Sequence, residues 1–304
     1  SLPADTSAKF ASGESSSPTP ETEDESWKKD DRLLMITDAG GVVPLVQLLT
    51  TGGMVAKEHA AAALWHLALD SSNQIAIAKA NGVTPLVALL DDGSPDAVRN
   101  GANALARLAQ ISEDNQAQIA KRLVSLLTAE NTGAQERSAH ALRALAADQP
   151  SSPVVIVNAG AISPLVGLLN TGTLKAKQEA AGALLTLAVG NPQNQLAIAI
   201  GLVALLGSSE EDLLDAQEHV TKLLLKLAAD GENRRAIAKA GAIQRLVLQL
   251  SSPSAMVQEV TASVLTFLTA DGLINVTECA QAGGIKPLVR LLSAESAVAS
   301  AQAA

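Results

Sequence analysis

Leucines three apart, closed by a small residue, recur along this chain: LWHLA (64–68), LARLA (105–109), LRALA (142–146), LLTLA (184–188), LLKLA (224–228) and LTFLT (265–269). The second leucines are Leu67, Leu108, Leu145, Leu187, Leu227 and Leu268, separated by 41, 37, 42, 40 and 41 residues. So regular a period marks a repeat architecture. A second string lies upstream of most of them: AGGVVPLVQLL (39–49), ANGVTPLVALL (80–90), AGAISPLVGLL (159–169), AGAIQRLVLQL (240–250) and AGGIKPLVRLL (282–292). A third precedes it, as NQIAIAK (73–79), NQAQIAK (115–121), NQLAIAI (194–200) and NRRAIAK (233–239).

These strings predict three helices per unit. A short first helix stops at Gly40, Gly82, Gly160, Gly241 or Gly283, where glycine takes the left-handed turn. A second helix opens at Pro44, Pro85, Pro164 or Pro287, a position where the missing N–H costs nothing. Polar breaks follow, such as TTGG (50–53), DDGSPD (91–96) and NTGT (170–173). The third helix carries apolar residues three and four apart, as at Ala60, Leu64 and Leu67. Asp70, Asn73, Asp114, Asn194, Asp230 and Asn233 are the candidate N-caps of the short helices.

Seven units result: 33–70, 71–111, 112–148, 149–190, 191–230, 231–271 and 272–304. Units three and five are short, because NQAQIAK runs straight into RLVSLL and NQLAIAI into GLVALL. Either the first two helices fuse there, or residues are missing from the sequence. The seventh unit ends in the Ala-rich SAESAVASAQAA (293–304), which lacks the polar outer face of a capping repeat. That end is expected to be covered by a partner or to mark a truncation.

A unit of about 40 residues with one short and two longer helices resembles the armadillo repeat. AIAKAGAI, PLVALL and ALxxLA are close to that family's consensus, and the likeness spans residues 33–304. HEAT repeats rank second, since they lack the short first helix and the Gly-x-x-Pro-Leu-Val junction. The resemblance implies an all-α fold, an armadillo-type α-solenoid forming a right-handed superhelix of three-helix repeats. It also implies a concave groove, lined by the third helices, in which extended segments of other proteins bind.

Composition fits such a stack. Hydrophobic residues make up 47% of the chain, yet it has two Phe, two Trp and no Tyr. Leu, Ala, Val and Ile must then form the core, which suits closely packed helices. Residues 1–32 form an acidic, Ser/Pro-rich tail that cannot bury enough surface to fold alone. Net charge is −9, of which residues 1–31 carry −5, leaving −4 for the remainder. The repeats show no basic stripe of the kind that tracks phosphates, so nucleic acid is not expected as a partner. No run of about 18 uncharged apolar residues predicts a membrane-crossing helix.

Groove candidates follow from the register of the third helices. The residue before each second leucine is His66, Arg107, Ala144, Thr186, Lys226 and Phe267. One turn earlier, on the same face, lie Ala62, Asn103, His140, Gly182, Lys222 and Ser263. With Arg99, the candidate protein-binding set is His66, Arg99, Asn103, Arg107, His140, Thr186, Lys222, Lys226 and Phe267. Only Asn103 matches the Trp/Asn ladder with which import receptors of the resembled family grip basic signals, and the dense Lys/Arg rows of the catenin type are missing. An acidic or amphipathic segment is the expected ligand, although these charges also read as a solvated face. Phe267 is either an anchor or a packing residue against unit seven. In the tail, Phe10 and Trp27 are candidate docking residues, Trp27 reading equally as a cover for the first repeat; Ser17-Pro18 and Thr19-Pro20 are weak phosphorylation signals.

Catalytic patterns are not found. His59 and His66 lie seven apart with no zinc-binding His-Glu-x-x-His signature, and His140 and His219 fall in other repeats. No Gly-rich loop followed by Lys-Ser/Thr is present, and Glu210, Glu211 and Asp212 read as a solvated turn. The lone Cys279 reads as a small buried hydrophobe without a His to activate it. No enzyme, cofactor or metal is expected. A single thiol predicts a reducing intracellular compartment, cytoplasmic, or organellar after loss of a transit peptide. Starting at Ser1, the chain is expected to be a processed product or fragment. Two functions follow: a scaffold or adaptor that binds partner proteins along the groove, or a constitutive subunit of a larger assembly held by solenoid surfaces and its open C-terminal end.

Overall fold

A computed structural model describes residues 35–206 and 214–292. The tail with Phe10 and Trp27, the Glu210–Asp212 run and the Ala-rich residues 293–304 lie outside the described residues. Among those described, every regular element is a helix.

Unit one contributes α1 (Val42–Thr51) and α2 (Met54–Leu67). Unit two has all three helices: α3 (Ser71–Lys79), α4 (Val83–Asp92) and α5 (Pro95–Leu108). Unit three has two, α6 (Glu113–Leu126) and α7 (Thr132–Asp148). Unit four is again complete with α8 (Ser152–Asn158), α9 (Ile162–Thr171) and α10 (Leu174–Ala188). Unit five has α11 (Pro192–Leu206) and α12 (Leu214–Ala228). Unit six has α13 (Gly231–Lys239), α14 (Ala242–Gln249) and α15 (Ala255–Ala270), and unit seven has α16 (Leu273–Gln281) and α17 (Ile285–Leu292). In the short units the first two helices are fused: α6 and α11 each run unbroken through the position of the elbow.

All six second leucines are buried, none more than 7% exposed, and they belong to one continuous apolar core. Burying a leucine contributes about 1.5–3 kcal/mol, and no unit supplies that cover alone. Each second helix packs on the third helix of its own unit, and neighbouring units stack on one another. The prolines sit at the third position of α1, α4, α9 and α17, inside the first turn where the N–H has no helical partner. No described helix is long and apolar enough to cross a membrane.

The joints between units differ from the expected capping. Asp70 and Asp230 are N-caps, accepting from the second and third N–H groups of α3 and α13. Asn73, Asp114, Asn194 and Asn233 are not. The caps of α6 and α11 are Ser112 and Asn191, three residues before an asparagine. That asparagine turns backward: Asn115, Asn194 and Asn275 donate from Nδ2 to the carbonyls of Leu108, Leu187 and Leu268 at 3.3, 2.9 and 2.6 Å. The next residue closes the adjoining carbonyl, as Gln74 does for Ala68, Gln195 for Ala188 and Arg234 for Ala228. Asn194-Gln195 thus satisfies two orphan carbonyls of the preceding third helix, while elsewhere one of the two residues does so: among the described residues the Asn73 side chain has no hydrogen-bond partner, and Gln116 donates to Gln149 instead. The pair is a splice between units.

Gly40, Gly160, Gly241 and Gly283 have positive φ, as expected of glycines ending the short helix. Gly82 does not: the left-handed residue of unit two is Asn81, at φ 57. Asparagine tolerates that region better than other non-glycine residues.

The Asp70 cap sets a pH dependence. The Ser72 hydroxyl and the Asn73 and Ser72 N–H groups hold its carboxyl below the usual carboxylate range. A depressed folded-state pKa stabilises above the unfolded value and is lost as pH falls through the folded one. Asp70→Ala is expected to cost about 1 kcal/mol at neutral pH and nothing once the carboxyl is protonated in both states. Urea unfolding of the variant and the parent chain at neutral and strongly acidic pH tests this.

Candidate functional site

The third helices α2, α5, α7, α10, α12 and α15 carry the candidate residues, and they do not form an even ladder. α2 packs on α5, α7 on α10 and α12 on α15. Each of these pairs is clasped by the same bond, in which the hydroxyl opening the second helix of the pair donates to a glutamate of the first. Ser94 Oγ reaches Glu58 Oε2 at 3.0 Å, Thr173 Oγ1 reaches Glu136 Oε1 at 2.6 Å and Ser254 Oγ reaches Glu218 Oε1 at 2.9 Å. All three glutamates stand nine residues before the second leucine in units one, three and five; units two and four have Arg99 and Gln178 there, while unit six has Glu259. The repeats are thus organised as doublets.

Between doublets the ladder opens, and the missing elbow is the cause. With α6 continuous, α7 is drawn to the end of α4 instead of against α5, which it barely touches. Arg137 Nε donates to the Leu90 carbonyl at 2.6 Å, and Asn131 Nδ2 to the Asp91 carbonyl at 2.7 Å, closing carbonyls at the end of α4. A cleft of about 620 Å³ results. Leu90, Ile119 and Leu123 form its floor. Small residues widen the walls: Ala102 and Ala106 on α5, Ala141 and Ala144 on α7. Arg99, Asn103 and His140 line it, with Lys175 and Glu179 of α10 at its edge.

Three of the candidate residues, Arg99, Asn103 and His140, therefore meet in one cleft. The others are spread along the stack. His66 is exposed and stacks on Trp65, with ring centroids 4.8 Å apart. Arg107 is exposed one turn along α5 from Asn103. Thr186 is half-buried and its hydroxyl donates to the Gly182 carbonyl at 3.0 Å. Lys222 and Lys226 are exposed on α12, and Phe267 is exposed on α15. Sequence reasoning missed the clasp glutamates and the Arg143–Glu179–His140 cluster. A Glu nine residues before the leucine in units one, three, five and six was the available signal for the first; nothing marked the second, which needs two helices in register.

Carboxylates on this face are engaged. Asp96 pairs with Arg99 at 2.6 Å, Glu136 with Lys175 at 3.6 Å and Glu218 with Lys222 at 3.9 Å. Glu179 lies 3.2 Å from Arg143 and 3.3 Å from His140. Arg107 and Lys226 have no carboxylate within ion-pair distance among the described residues. The face consequently presents positive charge at Arg107 and Lys226 that no carboxylate answers among the described residues. Among the described residues no cluster of three His, Cys, Asp or Glu side chains could hold a metal. Cys279 is buried, and burial pushes its thiol up. It fills the position held by Ile77, Ile156 and Ile237 in other units, five residues before the small residue that opens the second helix.

Stacked helical units with an accessible third-helix face define an α-solenoid. The family model for the Armadillo/beta-catenin-like repeat matches residues 150–189 and 232–270, which are units four and six, both with three separate helices. A crystallised engineered protein is similar over 90% of this chain and 69% of its own, at 30% identity and a TM-score of 0.51. A second engineered protein shares 30% identity over 76% of this chain and 98% of its own, with a TM-score of 0.47. A designed armadillo repeat protein in complex with the peptide (KR)4 shares 22% identity over 75% of this chain and 99% of its own, with a TM-score of 0.46. No curated protein matches. The chain belongs to the armadillo repeat family.

Proposed function

We propose that this chain is a non-enzymatic interaction scaffold, holding an acidic, amphipathic segment of a partner protein along the third-helix face. One observation carries the reading: the cleft between α5 and α7 has an apolar floor, and the face around it keeps unanswered cations. An apolar side chain of the partner fills the cleft while its carboxylates approach Arg107 on one side and Lys226 further along the stack. Asn103, with an amide donor and acceptor, is placed to engage the partner's backbone. Most cations of this face are already matched to carboxylates, which favours protein over nucleic acid. A single buried thiol fits a reducing compartment.

The test is an array of amphipathic peptides carrying Leu or Phe beside Asp and Glu, with Lys/Arg counterparts as controls. Acidic members are expected to bind. Arg107→Glu with Lys226→Glu should weaken capture by about tenfold or more and leave the melting temperature unchanged, since both side chains are exposed. Equal affinity in the double variant, or preference for the basic peptides, sinks the reading.

The second reading, a fixed subunit of an assembly, draws on different residues. Leu273, Ile274, Ile285 and Val289 of unit seven are each more than half exposed.

A further inference from the structure

The walls of the cleft between α5 and α7 are surfaces that elsewhere in this chain hold a helix. Six residues before the second leucine, α2, α7 and α12 carry Ala61, Ala139 and Thr221, each fully buried where the next third helix packs. The same place in α5 is Ala102, which stays partly open and lines the cleft. The opposite wall shows the complement. Four residues before the second leucine, α5, α10 and α15 carry Ala104, Ala183 and Val264, fully buried where the preceding third helix packs. In α7 that residue is Ala141, again partly open and lining the cleft. At the next boundary between doublets the wall is closed, since Leu223 of α12, at the place of Ala141, is 2% exposed.

Between α5 and α7, then, both halves of a helix–helix interface are built and do not meet. The space suits a further helix. Its lining runs along α7 from Glu136 to Asp148, about 18 Å or a little over three helical turns. Along α5 it takes Val98, Ala102 and Ala106, four apart on one helix face. The alanines of both walls let an incoming backbone come close, and the apolar floor receives its longer side chains. Charge sets the direction. Glu58, Glu136 and Glu218 receive the hydroxyl that opens the incoming helix of each doublet. At that place α5 has Arg99, whose ion pair with Asp96 is solvent-exposed and costs little to rearrange. A cation there opposes the positive N-terminal end of a helix and favours the negative C-terminal end. Asp148, at the other end of the cleft, favours an N-terminus.

We propose that the cleft takes an amphipathic α-helix of a partner protein, running antiparallel to α5 and α7. Apolar side chains at i, i+4 and i+7 of that helix meet the floor. Its C-terminal carbonyls lie beside Arg99, and carboxylates of its first turn lie on the side of Arg107, which stands one turn before the Gln110 that donates to Asp148. Acids in a first turn also suit the helix itself. Resting on the scaffold reading, this names the shape of the bound segment where it crosses units two and three: helical and parallel to the third helices, instead of extended across them.

The test is a library of stapled helical peptides of about 16 residues, long enough for three turns, titrated with the full chain by fluorescence anisotropy. Members carry Leu, Ile, Met or Val along one face and Asp or Glu in the first turn, and each has an unstapled twin broken by a central proline. Stapled members are expected to bind about tenfold or more tighter than their twins. Ala106→Trp and Ala144→Trp fill the cleft from either wall at exposed positions. Each should weaken stapled members by about tenfold or more with an unchanged melting curve, and Arg99→Glu should do the same. The unconstrained acidic peptides that test the scaffold reading run beside them. If those bind while the stapled set does not, or if the proline twins match their parents, the helix is wrong and the scaffold reading stands. Stapled binding that survives both tryptophans would place the helix outside the cleft and overturn it. If neither set binds, both readings fall.

Discussion

Leu108→Ala is expected to destabilise the chain by about 2–5 kcal/mol, the cost of a cavity that the surroundings fill only partly. Leu108 is fully buried at the end of α5. Its carbonyl accepts from Asn115, so the side chain and the splice to α6 sit at one point. α2 packs on one side of α5, while the other side faces the cleft toward α7. A cavity there has little neighbouring structure to collapse into. Since each unit of a solenoid is held mainly by its neighbours, the loss should spread unevenly. Hydrogen exchange should quicken first in α5 and α6, and later in α14 and α15. Chemical denaturation gives the total, with Leu48→Ala on half-exposed Leu48 as the control expected to cost well under that range. A cost near zero at Leu108 would mean that the faces of the third helices are misassigned.

The leucine period made this residue legible without coordinates, because burial every 37 to 42 residues is written into the spacing itself. The exposed rows were legible for the same reason. Once the second leucines face inward, the residues before them turn outward, as His66, Arg107 and Lys226 do. The doublets were not read, and Glu58, Glu136 and Glu218 do not mark them by position alone, since Glu259 holds the same place in unit six. A glutamate on a helix surface looks like any solvated charge until the hydroxyl 36 or 37 residues later is seen to reach it. The cleft was legible only by half. The short third unit announced an irregularity, and fusion of the helices was one of two explanations for it. That fusion would draw α7 toward α4 and open a space beside Arg99, Asn103 and His140 depends on where Arg137 and Asn131 find carbonyls, and spacing carries no information about that.

Adjacent residues in unit two should respond to substitution with opposite signs: Asn81→Gly stabilises and Gly82→Ala destabilises. Sequence spacing assigns the left-handed turn to Gly82, by analogy with Gly40, Gly160, Gly241 and Gly283. Those four have φ between 76 and 87, but in unit two the positive φ of 57 belongs to Asn81. The Cβ of Asn81 is therefore strained, and glycine relieves that strain at the expense of a floppier unfolded chain, for a net gain of up to about 1 kcal/mol. Gly82 has ordinary helical angles, φ −65 and ψ −23, so its conformation does not require glycine. Space does. A Cβ there would stand 2.6 Å from Ile77 Cγ2 and 3.0 Å from the Ile77 carbonyl oxygen, with Val46 of the preceding unit 3.3 Å away. Ile77 is fully buried, so relief must come from moving the end of α3 away from the start of α4 as well as displacing Val46 of α1, an overpacking cost of about 1–3 kcal/mol. Denaturant midpoints of the two single variants decide the matter. If Gly82→Ala is neutral while Asn81→Gly is harmful, the turn and the tight junction have been assigned to the wrong residues.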